Sequence, residues 1–284
     1  MRSRHVTRPT RPILGADSAM YVEARPPSFL DRQPQRTPRP SRPPYPLVCL
    51  QVVPIGQGVG GAVRAAAGFE LRGRTRTCAT LIDVSGKDVL DVGCSFGWFC
   101  RYAAEAGAKS VVGVDTSEEA LAVARDYAPT ASFVRASALD LPFADEQFDV
   151  VTMFEVIEHV PQGSELQALS EARRVLRAQG RLALSTPGRA CFATYTDPAF
   201  YLGHRHYRVR DLRRLLGKSG FDVLELNTAG GIFDQLDLLL YYASRHLARR
   251  ERHPVEFIRS RGEAEWRLRR GNNTILVVAG RAPQ

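Results

Sequence analysis

Two aspartates and two glycines give this sequence its first chemical signal. Asp91 precedes a turn that contains Gly93 and Gly97, and Asp115 follows 22 positions after Gly93. Glycines at those two positions let a ligand approach the backbone closely, and backbone N–H groups there are available to bind it. A carboxylate at this distance is typical of the group that accepts hydrogen bonds from a ribose diol. The spacing therefore predicts a nucleotide-like ligand.

Two apolar runs position these residues. The pattern predicts two short buried strands of a parallel sheet, VLDV at residues 89–92 and VVGVD at residues 111–115. Each run is β-rich and bounded by turn residues. A helix that opens near Ser95 would direct its unpaired N–H groups at the same ligand. These are the elements of a doubly wound nucleotide-binding fold. A glycine turn in an unrelated βα unit is the alternative that these residues leave open.

The run VLDVGCSFGWF, residues 89–99, resembles motif I of the class I S-adenosylmethionine-dependent methyltransferases, in which an acidic residue precedes Gly-x-Gly-x-Gly. Ser95 replaces the middle glycine, a substitution that the family tolerates. Asp91 separates the run from a dinucleotide site, because a carboxylate there would repel a pyrophosphate but suits the cationic amino acid end of S-adenosylmethionine. The resemblance extends over roughly residues 80–230 and the last strand.

Further motifs follow in the family's order, and the resemblance implies their roles. Ser137 would accept a hydrogen bond from the adenine amino group, where the family usually has an acid, so its contribution should be nearer about 1 than 3 kcal/mol. The backbone of Ala138 would face the ring, and Glu155 would contact the methionine end of the donor. Packing as a small residue in the turn is the alternative role of Cys94. The residues predicted to bind the donor are Asp91, Gly93, Cys94, Gly97, Asp115, Thr116, Ser137, Ala138 and Glu155.

The predicted fold class is α/β: a doubly wound, seven-stranded, Rossmann-like methyltransferase sheet whose last strand is antiparallel. Residues 132–160 resemble the third and fourth strands, and residues 171–189 and 204–226 resemble the fifth and sixth strands with their helices. NTILVVAGR, residues 273–281, reads as the seventh. The distance between the last two strands predicts a helical insertion over residues 231–272.

Composition sets the domain organisation. Residues 1–46 hold ten of the 18 prolines and nine arginines against three acids. Such a segment has too little apolar surface to offset its ordering entropy, so we expect a disordered tail before one catalytic domain over residues 47–284. An arginine-rich transit peptide is the alternative. Because the tail carries most of the +9 net charge, no specific nucleic acid is expected as a partner.

The cysteines indicate the compartment. Five cysteines without a CxxC pair or metal-type histidine spacing suit a reducing cytoplasm and predict no metal site. No apolar run approaches the roughly 18 residues that span a bilayer, so no transmembrane segment is expected.

Few residues are obligatory for methyl transfer. A sulfonium donor is already electrophilic, so the protein chiefly has to align the acceptor and, for a hydroxyl, remove a proton. His159 is the predicted base, because it follows the fourth strand directly; holding a loop by hydrogen bonds is its alternative role. Glu158 is expected to orient His159 or cap a helix. His204 and His206 are expected to pack at the mouth of the cleft.

The insertion combines an apolar half and a basic half. Its first part has helical apolar spacing, and residues 245–270 hold nine arginines against four acids. We expect an acceptor-side lid that could touch a membrane surface or a lipid-linked acceptor, and whose removal would spare donor binding. A helix packed on the sheet edge with a solvated basic face is the alternative.

The prediction for function is methyl transfer from S-adenosylmethionine to a small organic acceptor, at an oxygen of a phenol, quinol, sugar or related metabolite. The segment from EVIEHV to HRHY resembles quinone-ring and natural-product O-methyltransferases, and the chain lacks the Asn-Pro-Pro-Tyr type motif of nitrogen methylation. An RNA methyltransferase and a non-catalytic S-adenosylmethionine-binding protein remain the alternatives.

Overall fold

A computed structural model describes residues 69–189, 194, 204–247 and 255–283. For residue 238 and residues 241–247 it describes the backbone alone. The predicted disordered tail, residues 1–46, lies outside the described residues.

The described chain builds a seven-stranded sheet in the order β3-β2-β1-β4-β5-β7-β6. Its strands are β1 Asp88–Val92, β2 Ser110–Asp115, β3 Ser132–Arg135, β4 Phe148–Phe154, β5 Leu176–Pro187, β6 Phe221–Ala229 and β7 Thr274–Arg281. Strands β1 to β5 pair in parallel, and β7 pairs antiparallel with both β5 and β6. The predicted doubly wound sheet with an antiparallel last strand is confirmed.

Helices cover both faces of this sheet. They are α1 Gly73–Ala79, α2 Trp98–Glu105, α3 Glu118–Tyr127, α4 Glu165–Val175, α5 Val209–Lys218, α6 Ile232–Leu247 and α7 Glu256–Arg267. One buried cluster joins α4 and α5 to strand residues such as Leu90, and the other joins α1, α2, α3 and α7 to residues such as Val89. Neighbouring residues of β1 thus point into opposite cores, which explains why its burial is continuous rather than alternating.

The start of β5 differs from the expected helix, turn and strand. β5 follows α4 directly, and a register shift places Leu176 opposite Phe148 but Arg181 opposite Val150. The expected turn at Gly180 is therefore an irregularity within the strand. A Cβ on Gly180 would lie 2.6 Å from Leu176 Cδ1, so the glycine allows the chain to fold back on Leu176.

The region between β6 and β7 forms α6 and α7, as the predicted helical insertion requires. Gly230 and Gly271 form a backbone bridge at its base. A Cβ on Gly271 would lie 2.1 Å from Gly230 O, and its φ of +99° also favours glycine. Within the part of the chain that the structure describes, none of the helices has the length and apolar character to cross a membrane.

Candidate donor-binding cleft

The turn after β1 is tied to β2. Gly93 and Cys94 both donate their backbone N–H groups to Val114 O, at 2.7 and 2.9 Å. Gly93 has a φ of +74°, and a Cβ there would lie 2.5 Å from Val156 Cγ2. Glycine is thus required at this position by the backbone conformation and by the packing of Val156, in addition to any ligand.

Ser95 stands in the turn with a strained backbone and an unsatisfied hydroxyl. Its φ is +52°, and its N–H donates to Asp115 Oδ2 at 2.9 Å. Its Oγ is buried without a hydrogen-bond partner, one of two such side-chain atoms among the described residues. Most buried hydroxyls have a partner, so the Ser95 hydroxyl retains hydrogen-bonding capacity that the described residues do not use.

Asp115 ends β2 and faces the same turn. Its Oδ2 accepts from Ser95 N–H and its Oδ1 accepts from Ser117 N–H, both at 2.9 Å, and the residue is 6% exposed. A carboxylate offers about four lone-pair positions. Two therefore remain for hydroxyl groups of a ligand.

Asp91 is enclosed in the protein. It is 2% exposed, and its carboxyl group accepts from Thr152 Oγ1 at 2.6 Å and from Cys100 Sγ at 3.5 Å. Burial raises the pKa of Asp91 to about 7, and the negative charge of Asp115 adds to that shift. The predicted site therefore contains an acid that keeps its proton to a much higher pH than an ordinary aspartate does.

A cleft opens at the carboxyl ends of β1, β4 and β5, where open α/β sheets bind ligands. Residues from these strand ends, from α1 and from α2 line it: Phe69, Arg74, Thr75, Cys78, Gly93, Ser95, Phe96, Trp98, Phe154, Glu155 and Ser185. Its aromatic rings pack on one another, with Phe69 edge-on to Phe96 at 5.3 Å and Trp98 tilted against Phe154 at 6.0 Å between centroids. The cleft thus has an apolar wall.

An ion pair forms the polar side of the cleft. Arg74 Nη1 lies 2.7 Å from Glu155 Oε2, and Ser185 Oγ donates to Glu155 Oε1 at 2.8 Å. Glu155 has a φ of +57° and is 8% exposed, so it is a second strained residue at this edge. Opposite charges side by side complement an α-amino acid group, which carries both signs.

Gly93 and Glu155 are the predicted donor-binding residues that the cleft brings together. Asp91, Cys94, Gly97, Asp115, Thr116, Ser137 and Ala138 do not line it, and their contacts with a donor stay predictions. Ser137 Oγ accepts from Leu139 N–H at 3.1 Å within its own turn. Sequence reasoning placed Phe154 at the ligand-binding end of its strand without giving it a contact, and it missed Arg74 and Trp98. Trp98 adjoins recognised motif residues, whereas Arg74 lies on a helix without a motif.

The predicted base lies in a histidine pair. The rings of His159 and His204 meet edge to face, with centroids 4.3 Å apart. Glu158 Oε1 lies 4.0 Å from His159 Nε2, beyond hydrogen-bond distance, and Glu158 Oε2 instead accepts from Thr186 Oγ1 at 3.0 Å. His206 Nδ1 lies 3.3 Å from Thr194 Oγ1. Groups of three or more metal-type side chains are absent from the described residues.

Comparison with known proteins decides the family. A family model described as a methyltransferase domain matches residues 90–184. An uncharacterised methyltransferase of Synechocystis sp. is 31% identical over 153 residues, which are 51% of this chain and 72% of that protein. This chain belongs to the class I S-adenosylmethionine-dependent methyltransferases.

Other methyltransferases match over shorter parts of their length. A protein of Mycolicibacterium smegmatis, described as an S-adenosylmethionine-dependent methyltransferase, is 35% identical over 49% of this chain and 53% of its own length. The ubiquinone biosynthesis O-methyltransferase of Haemophilus ducreyi is 37% identical over 37% of this chain and 47% of its own length. The chain thus spans about half the length of the first curated methyltransferases that it matches.

Solved structures agree on the methyltransferase fold. An S-adenosylmethionine-dependent methyltransferase from Mesorhizobium loti has a TM-score of 0.51 at 23% identity, covering 79% of this chain and 100% of that one. The [4+2]-cyclase SpnF has a TM-score of 0.54 at 18% identity, covering 79% and 83%. At such identities the likeness concerns the fold alone.

In this methyltransferase we expect His159 to remain neutral across the physiological range. Burial, with the positive charges of His204, Arg205 and Arg74, lowers the pKa of His159 to about 4. The unfolded chain binds a proton near pH 6.5 and the folded chain does not, so this group destabilises the fold as pH falls from about 6.5 to about 4. Its ring resonances should therefore not titrate between about pH 5.5 and 8 in NMR spectra of histidine-labelled protein.

The ring signal of His159 is assigned as the one that is missing from the spectrum of the His159→Gln variant. A titration midpoint near the ordinary histidine value would contradict the burial argument.

Proposed function

We propose that this protein transfers a methyl group from S-adenosylmethionine to an oxygen of a small organic acceptor, such as a phenol, quinol, sugar or related metabolite. The observation that carries the proposal is the orphan hydroxyl of Ser95 in a strained turn beside the cleft. The fold, the family and the ion pair of Arg74 with Glu155 support the same ligand.

The residues present fit this donor. Arg74 and Glu155 would hold the carboxylate and the ammonium of its amino acid group, Ser95 would hydrogen-bond to it, and Asp115 would accept from the ribose hydroxyls. When bound, the donor supplies an electrophilic methyl group on a sulfonium. The aromatic side chains that line the cleft would offer an apolar surface to an acceptor.

His159 is the group that we propose to take the acceptor proton. Its ring is neutral at neutral pH, which is the form that can accept a proton, although its low pKa makes it a weak base. His159→Gln should then reduce turnover by about 100-fold with unchanged donor affinity. A loop-holding role would instead alter stability and binding together.

Oxygen as the acceptor atom is supported by the likeness to the ubiquinone biosynthesis O-methyltransferase of H. ducreyi. A lipid-linked acceptor is consistent with exposed Phe257 and Ile232 on the insertion. The buried free thiols Cys78, Cys94 and Cys100 suit a reducing compartment, and we propose the cytoplasm.

RNA is a weaker candidate for the acceptor. Several described arginines, such as Arg174, Arg177 and Arg281, are engaged in ion pairs with the protein's own acids. Those charges are already partly neutralised, which leaves less positive surface for phosphates. A steep loss of acceptor affinity with rising salt would favour RNA, whereas a small neutral acceptor would barely respond.

The test is a search for the methylated product. The protein is incubated with isotopically labelled S-adenosylmethionine and fractionated extract of its host, and mass spectrometry seeks a labelled species heavier than its precursor by one methyl-for-hydrogen exchange. A labelled O-methyl product supports the proposal. Donor binding without any labelled product would indicate a binding protein, and absence of donor binding would overturn the proposal.

Asp115→Ala should weaken donor affinity by on the order of 2–4 kcal/mol, because two hydrogen bonds to a charged acceptor are lost. Calorimetry with S-adenosylmethionine measures it. Asp126→Ala, at an exposed position on α3, is the control and should bind normally. Since Asp115 also accepts from Ser95 and Ser117, melting temperatures must accompany the binding data. An unchanged dissociation constant would remove Asp115 from the site.

A further inference from the structure

The insertion contacts the helix that carries Arg74. In α7, Glu263 Oε2 accepts the backbone N–H of Gly73, the first residue of α1, at 2.9 Å. Trp266 lies against the same glycine, since a Cβ on Gly73 would be 3.1 Å from the indole Cδ1. One side of α1 therefore meets the insertion, while Arg74, one residue further along, reaches Glu155 in the cleft.

The contacting surface of α7 is itself fixed. Glu265 accepts backbone N–H groups of Gly231, Phe233 and Asp234, at 3.1, 3.3 and 3.0 Å, at the start of α6. Trp266 Nε1 donates to Asp234 Oδ1 at 2.6 Å, and Trp266 is 4% exposed. These bonds lock α7 to the beginning of α6, so Glu263 and Trp266 meet α1 from a defined place.

The intrinsic helical stability of α1 is too small to fix its position beside the cleft. The helix has seven residues, and isolated helices of that length are unstable in water, so its position is set by its contacts. Glu263 also places a negative charge at the N-terminus of α1, where the helix dipole favours it.

We infer that the insertion positions the donor-binding side of the cleft: Glu263 and Trp266 hold α1 so that Arg74 meets Glu155. This inference rests on the proposed function, because it assumes that the donor binds beside that ion pair. Glu263 and Trp266 are positioning residues that act through Arg74. The insertion then affects donor binding, in contrast to a lid that serves the acceptor alone.

The test is a double-mutant cycle between Glu263 and Arg74, read as the dissociation constant for S-adenosylmethionine by calorimetry. Glu263→Ala should weaken donor binding about fivefold, because the N-terminus of α1 loses its acceptor. Glu256→Ala, an exposed residue of the same helix that pairs with Arg259, is the matched control and should bind like the native protein. In an Arg74→Ala background, Glu263→Ala should have no further effect on donor binding.

A second variant guards against a simple loss of stability. Trp266→Phe keeps an aromatic ring beside Gly73 but removes the hydrogen bond to Asp234. This variant should weaken donor binding in the native background and have no further effect in the Arg74→Ala background. If the native protein binds the donor and Glu263→Ala binds it with the same dissociation constant, this inference alone would be overturned. An equal loss of donor affinity from Glu263→Ala in the native and the Arg74→Ala backgrounds would overturn it as well. Failure of the native protein to bind the donor would overturn the proposed function, and this inference with it.

Discussion

Asp91→Asn is expected to stabilise the protein without donor and to weaken donor binding. Burial raises the pKa of Asp91 in the folded protein to about 7, above the ordinary aspartate value of about 4. Between those values the folded chain keeps a proton that the unfolded chain releases, so the contribution of this group falls as pH rises from about 4 to about 7. A neutral amide avoids that loss. At about pH 8 the free energy of unfolding should rise by roughly 2–4 kcal/mol, and the gain should shrink toward pH 5.

Asp88→Asn is the matched control, because Asp88 lies on the same strand and its pKa is shifted in the opposite direction. Hydrogen bonds from Ser110, Lys109 and Arg177 lower the pKa of Asp88 to about 2, so its carboxylate stabilises the fold above about pH 4. This variant should melt at a lower temperature at pH 8. If the negative charge of Asp91 adds to that of Glu155 in attracting the donor's ammonium, Asp91→Asn should also bind S-adenosylmethionine about tenfold more weakly. Thermal melts and calorimetry at several pH values would show both effects. Equal stability of Asp91→Asn and the native protein at every pH would contradict the expectation that the buried Asp91 carboxylate destabilises the fold.

Gly93→Val is expected to cost roughly 3 kcal/mol or more in stability and to abolish donor binding. A branched side chain is disfavoured at a φ of +74°, and its Cβ would collide with Val156. The structure therefore adds a loss of stability to the loss of binding that a crowded ligand site alone would cause. Chemical denaturation and donor titration of the same preparation measure both.

Gly86→Val separates the two causes. Gly86 has a similar φ of +68°, but a Cβ there meets no atom within 4 Å, so this variant carries the backbone strain without the collision. It should be destabilised less and should bind the donor. Val156→Ala combined with Gly93→Ala should recover part of the stability lost in Gly93→Ala alone, since the colliding methyl group is removed. Additive losses in that pair would mean that Val156 is not the obstacle.

The sheet could be predicted because its signals are local. Each strand has its own apolar run, and Gly220, with a φ of +75°, ends the helix before β6 as expected. The order of glycines and acids along residues 89–115 also identified the turn that the structure places beside the cleft.

The contacts between distant segments could not be predicted in the same way. Arg74 and Glu155 are 81 positions apart, and Glu263 and Gly73 are 190 apart, so nothing in either local pattern links them. The environment of Asp91 is equally non-local, because burial in the folded protein raises its pKa and outweighs the lowering by hydrogen bonds from Thr152 and Cys100. Sequence reasoning treated this acid as a charged carboxylate that faces the cationic end of the donor, whereas burial raises its pKa to about 7.

The position of β7 has a consequence for synthesis on the ribosome. β7 lies between β5 and β6, although it follows both in the chain. Until residues 274–281 have emerged, one edge of β5 and one edge of β6 lack their hydrogen-bonding neighbour. Open strand edges are templates for pairing with other chains. The nascent protein therefore carries this aggregation hazard from the synthesis of β6 until β7 has emerged, and a premature stop before residue 274 would leave the hazard permanent.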